Sequence, residues 1–192
     1  MNNDIVDKVL FIMPSIGRDT INRAIDSLTN QTLDKWELCI VYDCVEKKPN
    51  IPKDSRIFTH NLPNKTGKGK NSAGNVRNYA LDKYAHKYRW IGFIDDDDSL
   101  HHKYVESVYK KYSQYDFILF RMEVPRVGIV PPLSIQNEII CGKVGISFCI
   151  SNKLSHNRFE PFSTEDFKFL NKISQQTSNY ILTQEVGYLV RH

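Results

Sequence analysis

Four consecutive carboxylates, Asp95 to Asp98, close the apolar run Trp90 to Ile94. Two like charges about 4 Å apart repel by roughly 1 kcal/mol in water and by about 4 kcal/mol at a protein-like dielectric. Surface acid is usually mixed with lysine and spread along a helix, so acids gathered at the lip of a hydrophobic strand call for a positive partner. Side chains of an extended chain alternate, which aims Asp95 and Asp97 together and sends Asp96 and Asp98 elsewhere. Paired hard oxygens suit Mg2+ or Mn2+, and such an ion bridges the phosphates of a nucleotide. The plainer alternative is a solvated acidic loop with an Asp helix cap, and the apolar strand directly before the cluster weighs against it.

Other constellations carry less. The stretch "TGKGKNSAGN" resembles a phosphate-binding loop, but Gly69-Lys70 is followed by Asn71, where a Walker A motif needs Ser or Thr. What survives is a basic loop, with Lys65, Lys68 and Lys70, running into a helix amino terminus that can hold an anion; a plain solvated loop fits as well. The six histidines include no H-x-x-x-H pair, which speaks against zinc. His101 and His102 read as surface residues. No G-x-S-x-G elbow is present, and no Cys/His pairing can be argued from spacing.

The elements that must position the acids alternate β and α through the first two thirds of the chain. "KVLFIMP" and "WELCIVYD" read as buried strands and "SRIFTHNL" as a weaker one. Between the first two, Ile21, Ala24, Ile25 and Leu28 share one helical face, with Asp19 or Thr20 as N-cap. "VRNYALDKYAHKY" is a second helix, and a third lies near His102 to Tyr112 before the strand "DFILFRMEV". After Pro125 the pattern changes to short β-like runs, "GIVPPL", "NEIICGKV" and "ISFCIS". A capped helix, "STEDFKFLNKISQQ", and closing strands in "YILTQEVGYLVRH" follow. Such alternation predicts a mainly parallel sheet flanked by helices, with a small α+β elaboration. Ligands of open sheets bind at the strands' carboxyl ends, and Asp43 and Asp95 to Asp98 then share one rim.

At 192 residues this is one domain, or one domain of a longer protein. The formal charge of +4 asks for no nucleic acid and is compatible with an anionic small ligand. Cys39 and Cys149 sit in apolar runs as buried thiols, and Cys44 and Cys141 form no metal spacing with them, which favours a reducing compartment. No segment approaches the roughly 20 apolar residues of a membrane span, and the amino terminus lacks a signal-peptide pattern. The expected location is cytoplasmic.

Taken in order, these segments resemble the GT-A glycosyltransferases, in particular the family-2 type of nucleotide-sugar transferases. "FIMPSIGRDTINRAIDSLTNQTLDKWELCIVYD" is similar to that family's opening, "GNVRNYAL" to its "ARNxGL" segment, and "IGFIDDDDSLHHKYVE" to its "IxFLDxDDxLxPxxLE". "STEDFKFLNKI" resembles its "xxEDxxLxxRl", and "GYLVRH" its "xYxYRxH". The resemblance implies a single GT-A domain, with residues 1–124 holding a nucleotide-sugar and 125–192 facing the acceptor. It implies an inverting transfer from a nucleoside-diphosphate sugar, by the family pattern a UDP-sugar, to a carbohydrate or other hydroxyl.

By the same resemblance Pro14, Ser15 and Arg18 would line the nucleotide pocket, and Asp43 would accept a hydrogen bond from the base. Arg77 would lie near the base or diphosphate, with Asp96 also on the donor side. Asp95 would reach the ribose or the ion's water shell, while Asp97, with His192 nearby, would hold Mn2+ or Mg2+. Asp166 would be the general base and Glu165 its acceptor-side neighbour. Two alternatives stand beside this: a haloacid-dehalogenase-like phosphatase with Asp95 as nucleophile, and a non-catalytic nucleotide-sugar or glycan-binding module on the same fold.

Overall fold

The computed structural model describes residues 5–67, 73–160 and 163–191. In chain order the first elements are β1 (Val6–Ser15), α1 (Ile21–Thr29), β2 (Trp36–Tyr42), β3 (Ile57–Asn61), α2 (Gly74–Tyr84) and β4 (Tyr88–Phe93). There follow β5 (Ser99–Leu100), α3 (Tyr104–Lys110), β6 (Phe117–Val124), β7 (Gly128–Val130), β8 (Phe148–Ser151), α4 (Glu165–Ser174) and β9 (Tyr180–Leu189).

Val9 to Met13 in β1 are fully buried, as are Leu38 to Val41 in β2, so these strands carry apolar runs without alternation. They lie inside one sheet of order β3-β2-β1-β4-β8-β6-β9-β5, with β7 on the flank of β6. The half from β3 to β4 is parallel, as the β/α alternation predicts. Beyond β4 the sheet is mixed: β8 runs antiparallel to both β4 and β6, β9 is parallel to β6, and β5 is antiparallel to β9. Helix α1 buries Ile21, Ala24, Ile25 and Leu28, the face its spacing predicts.

Three local expectations need correction. "NEIICGKV" forms no strand; β7 and β8 are the short strands of this region. The closing segment is one ten-residue strand, β9, rather than several. The caps also differ: Thr20 and Thr164 stand at the N-cap positions of α1 and α4 without a side-chain capping bond. At α4 the cause is a long-range competitor, described below.

Candidate functional site

Strand β4 stops at Phe93, so the four acids do not lie on extended backbone. They form a turn in which the Asp98 N–H donates to the Asp95 carbonyl at 3.2 Å. The alternation nevertheless holds, for Asp96 and Asp98 are buried while Asp95 and Asp97 are partly exposed. Each buried acid has its own partners. Asp96 accepts from Ser15 Oγ at 2.6 Å and Arg18 Nη1 at 2.9 Å. Asp98 accepts the Arg191 backbone N–H at 2.9 Å. Burial raises the pKa of both, against the lowering effect of these bonds.

Arg18 reaches this turn because Gly17 takes φ +86, a left-handed conformation that favours glycine, just past the end of β1. The same Arg18 Nη1 lies 2.6 Å from Asp97 Oδ2. Arg23, in the first turn of α1, donates to the Asp97 carbonyl, and the buried Tyr188 hydroxyl accepts the Asp95 N–H at 3.1 Å. Strands β1 and β9 and helix α1 thus fix the acid turn from three sides.

A second knot joins α2 to α4. Glu165 is buried and turns away from its own helix: Oε1 accepts the Ala73 N–H and Oε2 the Gly74 N–H, both at 3.0 Å. It therefore caps α2, where unpaired N–H groups and the helix dipole favour a carboxylate. Arg77, one turn further along α2, donates to Glu165 Oε1 at 2.5 Å and to Asp95 Oδ1 at 2.6 Å. Burial alone would lower the Arg77 pKa, but the charges of Asp95, Asp166 and Glu165 outweigh it and hold the guanidinium charged. Asn78 completes the seam, donating to the Phe159 carbonyl at 2.9 Å and accepting the Phe159 N–H at 2.8 Å. Beneath it Phe159 stacks on Phe169 of α4, with Phe148 behind, so aromatic packing sets where α4 begins.

Asp166 therefore emerges in the first turn of α4, partly exposed to the cleft, with Oδ1 3.9 Å from Arg77 Nη1. That oxygen is enclosed and has no hydrogen-bond partner among the described residues. Burial pushes the Asp166 carboxyl up to about 7; Arg77 opposes the shift, while Asp95 and Glu165 add to it. Across the cleft, the buried Asp43 accepts from Thr66 N at 2.7 Å, Thr66 Oγ1 at 3.0 Å and Gly67 N at 2.9 Å, folding the start of the basic loop over the end of β2.

These groups line one cleft of about 600 Å3. It brings together Pro14, Ser15, Arg18, Asp43, Arg77, Asp95, Asp96, Asp97, Glu165 and Asp166, all the expected site residues except His192. His192, with Lys68 and Lys70, lies outside the described residues. Lys65 of the basic loop also lines the cleft, as do Ile16 and Val76, which were not singled out beforehand. Asn78, Arg23 and Tyr188 were missed as well. Asn78 left a signal, because a weak helix former inside "VRNYAL" needs a reason to be there.

Gly74 offers a direct check of the seam. A methyl group there would stand 2.8 Å from Glu165 Oε2 and 2.9 Å from Phe159 Cβ. Gly74→Ala, ordinarily stabilising in a helix by roughly 0.5–1 kcal/mol, is expected here to destabilise by about 1–3 kcal/mol in urea unfolding.

A parallel β/α half whose strand ends open on an acid-lined cleft, closed by a mixed-strand return, is the GT-A architecture. Residues 11–177 match glycosyl transferase family 2, and the chain belongs to that family. An uncharacterized glycosyltransferase of Haemophilus influenzae is 25% identical over 203 residues, covering 94% of this chain and 67% of that protein. The crystal structure of S. aureus TarS shares the fold with a TM-score of 0.77 at 18% identity, over 96% of this chain and 37% of that one. TarS 1–349 in complex with UDP-GlcNAc gives 0.76 at 18%, over 95% and 58%. The chain thus spans less than two thirds of these solved structures. The fold and the family leave the phosphatase alternative without support, and Asp95, its nucleophile, is hydrogen-bonded to Arg77.

Proposed function

We propose that this chain transfers a sugar from a nucleoside-diphosphate donor, a UDP-sugar, to an acceptor hydroxyl with inversion, assisted by Mn2+ or Mg2+. The observation that carries this reading is the charge of the cleft. Its described lining has six carboxylates, Asp43, Asp95, Asp96, Asp97, Glu165 and Asp166, against three cations, Arg18, Lys65 and Arg77. An anionic diphosphate would be repelled by that excess unless a dication came with it. The choice of uridine leans on the solved TarS complexes with UDP-GlcNAc and UDP.

The donor set fits such an ion. Asp95 and Asp97 are the two partly exposed acids of the turn, and each engages only one oxygen, with Arg77 and Arg18 respectively, among the described residues. No three His, Cys, Asp or Glu side chains converge there to hold an ion unaided, again among the described residues. Two carboxylates would therefore share it with diphosphate oxygens and water, as Mg2+ commonly allows, and His192 is the further candidate. When bound, the ion would neutralise charge developing on the leaving diphosphate.

The chain's own residues do the rest. Pro14, Ser15, Arg18 and Asp96 shape the donor pocket, and Asp43 adds a bond from the base to those it accepts from Thr66 and Gly67, since carboxylate oxygens accept more than one. Arg77 and Glu165 hold Asp95 and the first turn of α4 in place. Asp166 takes the acceptor's proton as the new bond forms, from the face opposite the leaving group. Residues 1–124 form the donor side and 125–192 the acceptor side of one domain. A cytoplasmic setting agrees with four free cysteines.

Calorimetry of UDP with and without Mn2+ tests the reading. Uptake is expected to tighten with metal in the parent, and Asp97→Asn is expected to lose the metal increment and metal-dependent turnover while keeping its melting temperature. UDP uptake indifferent to metal would remove the ion from the scheme. Binding without release of UDP from any UDP-sugar would favour the non-catalytic module.

A further inference from the structure

The two arginines beside the acid turn are held very differently. Arg77 is a fixture: its side chain is 4% exposed and pairs with both Glu165 and Asp95. Arg18 stands 45% exposed at the cleft, and all its side-chain bonds come from one nitrogen. Its Nη1 spans two carboxylates, 2.9 Å from Asp96 Oδ1 and 2.6 Å from Asp97 Oδ2. Its Nε and Nη2 make no hydrogen bond among the described residues.

The turn keeps its shape without Arg18. Arg23 donates to the Asp97 carbonyl, the Tyr188 hydroxyl accepts the Asp95 N–H, and the Asp98 N–H closes on the Asp95 carbonyl. The two acids that Arg18 joins differ as well. Asp96, with its side chain 3% exposed, has Ser15 Oγ at 2.6 Å as a second partner. Asp97, with its side chain 20% exposed, has Arg18 as its one ion-pair partner among the described residues. An ion pair open to solvent on both sides is weak and readily exchanged.

We infer that Arg18 is an exchangeable counter-ion for Asp97, yielding that carboxylate to the dication and turning to the donor's diphosphate. The two partners of Asp97 compete, because a guanidinium 2.6 Å from the carboxylate stands close enough to repel an ion bound there. The free arms of Arg18 suit a phosphate, which a guanidinium meets with two parallel N–H bonds. Entry of ion and donor is thereby coupled: the ion frees the arginine, and the diphosphate gives it a new partner. Arg77, buried between two acids, has no such freedom. The inference rests on the transferase reading and goes beyond it by giving Arg18 opposite effects on the ion and on the nucleotide.

Mn2+ uptake by the purified chain, followed as loss of the free ion's electron paramagnetic resonance signal, reads this without turnover. Arg18→Met is expected to bind Mn2+ alone about tenfold more tightly than the parent, since a nearby cation is gone. At saturating Mn2+ the same variant should bind UDP about tenfold more weakly, having lost a phosphate partner. Arg18→Lys, which keeps the charge, should stay near the parent for Mn2+ alone. Adding Asp97→Asn to Arg18→Met should abolish the gain, which assigns the ion to that carboxylate. Melting curves check the fold, and Arg18→Gln replaces Arg18→Met if the latter melts early. Mn2+ affinity unchanged or lowered, or UDP held as tightly as in the parent, overturns the proposal. The transferase reading survives that result as long as Mn2+ tightens UDP uptake by the parent. A parent whose UDP uptake ignores Mn2+ removes the ion from the reading and this inference with it.

Discussion

Asp166→Asn is expected to slow sugar transfer by roughly 10^2- to 10^4-fold, the usual weight of a general base, and to leave UDP affinity within a few-fold of the parent. The carboxyl stands at the cleft with its Oδ1 enclosed and without a hydrogen bond among the described residues, and burial pushes it up to about 7. A base with that pKa is half deprotonated near neutrality. In the parent, kcat/KM should therefore fall about tenfold per pH unit below that point, and the Asn variant should lose this limb. Stability should move the other way. The folded state holds a proton on Asp166 that the unfolded chain, with a value near 3.8, releases, so this group's contribution to stability is largest below pH 3.8 and declines as pH rises towards 7. A neutral amide has no such decline, and urea unfolding at pH 8 should find Asp166→Asn more stable than the parent. Loss of UDP binding instead of turnover would move the residue to the donor side.

What could be read from the residues follows a physical division. Runs such as Val9 to Met13 declare themselves because a strand buried on both faces has no other composition open to it, and Ile21 to Leu28 declare a helix by spacing alone. The acid turn was legible for a similar reason: four carboxylates after "WIGFI" have few tolerable settings. Its backbone was not, because alternating burial arises equally from a strand and from the turn found here. Long-range pairing hid most. Glu165 looks like part of a local capping pattern in "STEDFK", yet it caps a helix that begins ninety-one residues earlier. "NEIICGKV" has the composition of a strand, but β8 and β9 already flank the core of β6, and the segment lies outside the sheet.

The same seam makes Arg77 the residue whose loss should cost the fold most. Its side chain is 4% exposed and bridges Glu165 and Asp95 at 2.5 and 2.6 Å. Arg77→Met keeps the apolar stem and removes the charge, leaving a buried carboxylate without its cation, a change that typically costs about 3–5 kcal/mol. Urea unfolding at pH 8 should show that loss. At pH 5 the deficit should shrink, because Asp166, whose ionised form Arg77 favours, carries a proton there with or without the cation. Arg77→Lys should recover only part, since an ammonium cannot reproduce the two-armed guanidinium contact. The double variant Arg77→Met with Glu165→Gln should be less damaged than the sum of its parts, because the second change removes the charge that the first one strands. A deficit below about 1 kcal/mol at pH 8 would show that water, rather than Arg77, satisfies these acids. Because one guanidinium holds both Asp95 and the helix start that presents Asp166, the variant that unsettles the fold should also separate these two carboxylates, the proposed metal-side acid and the proposed base.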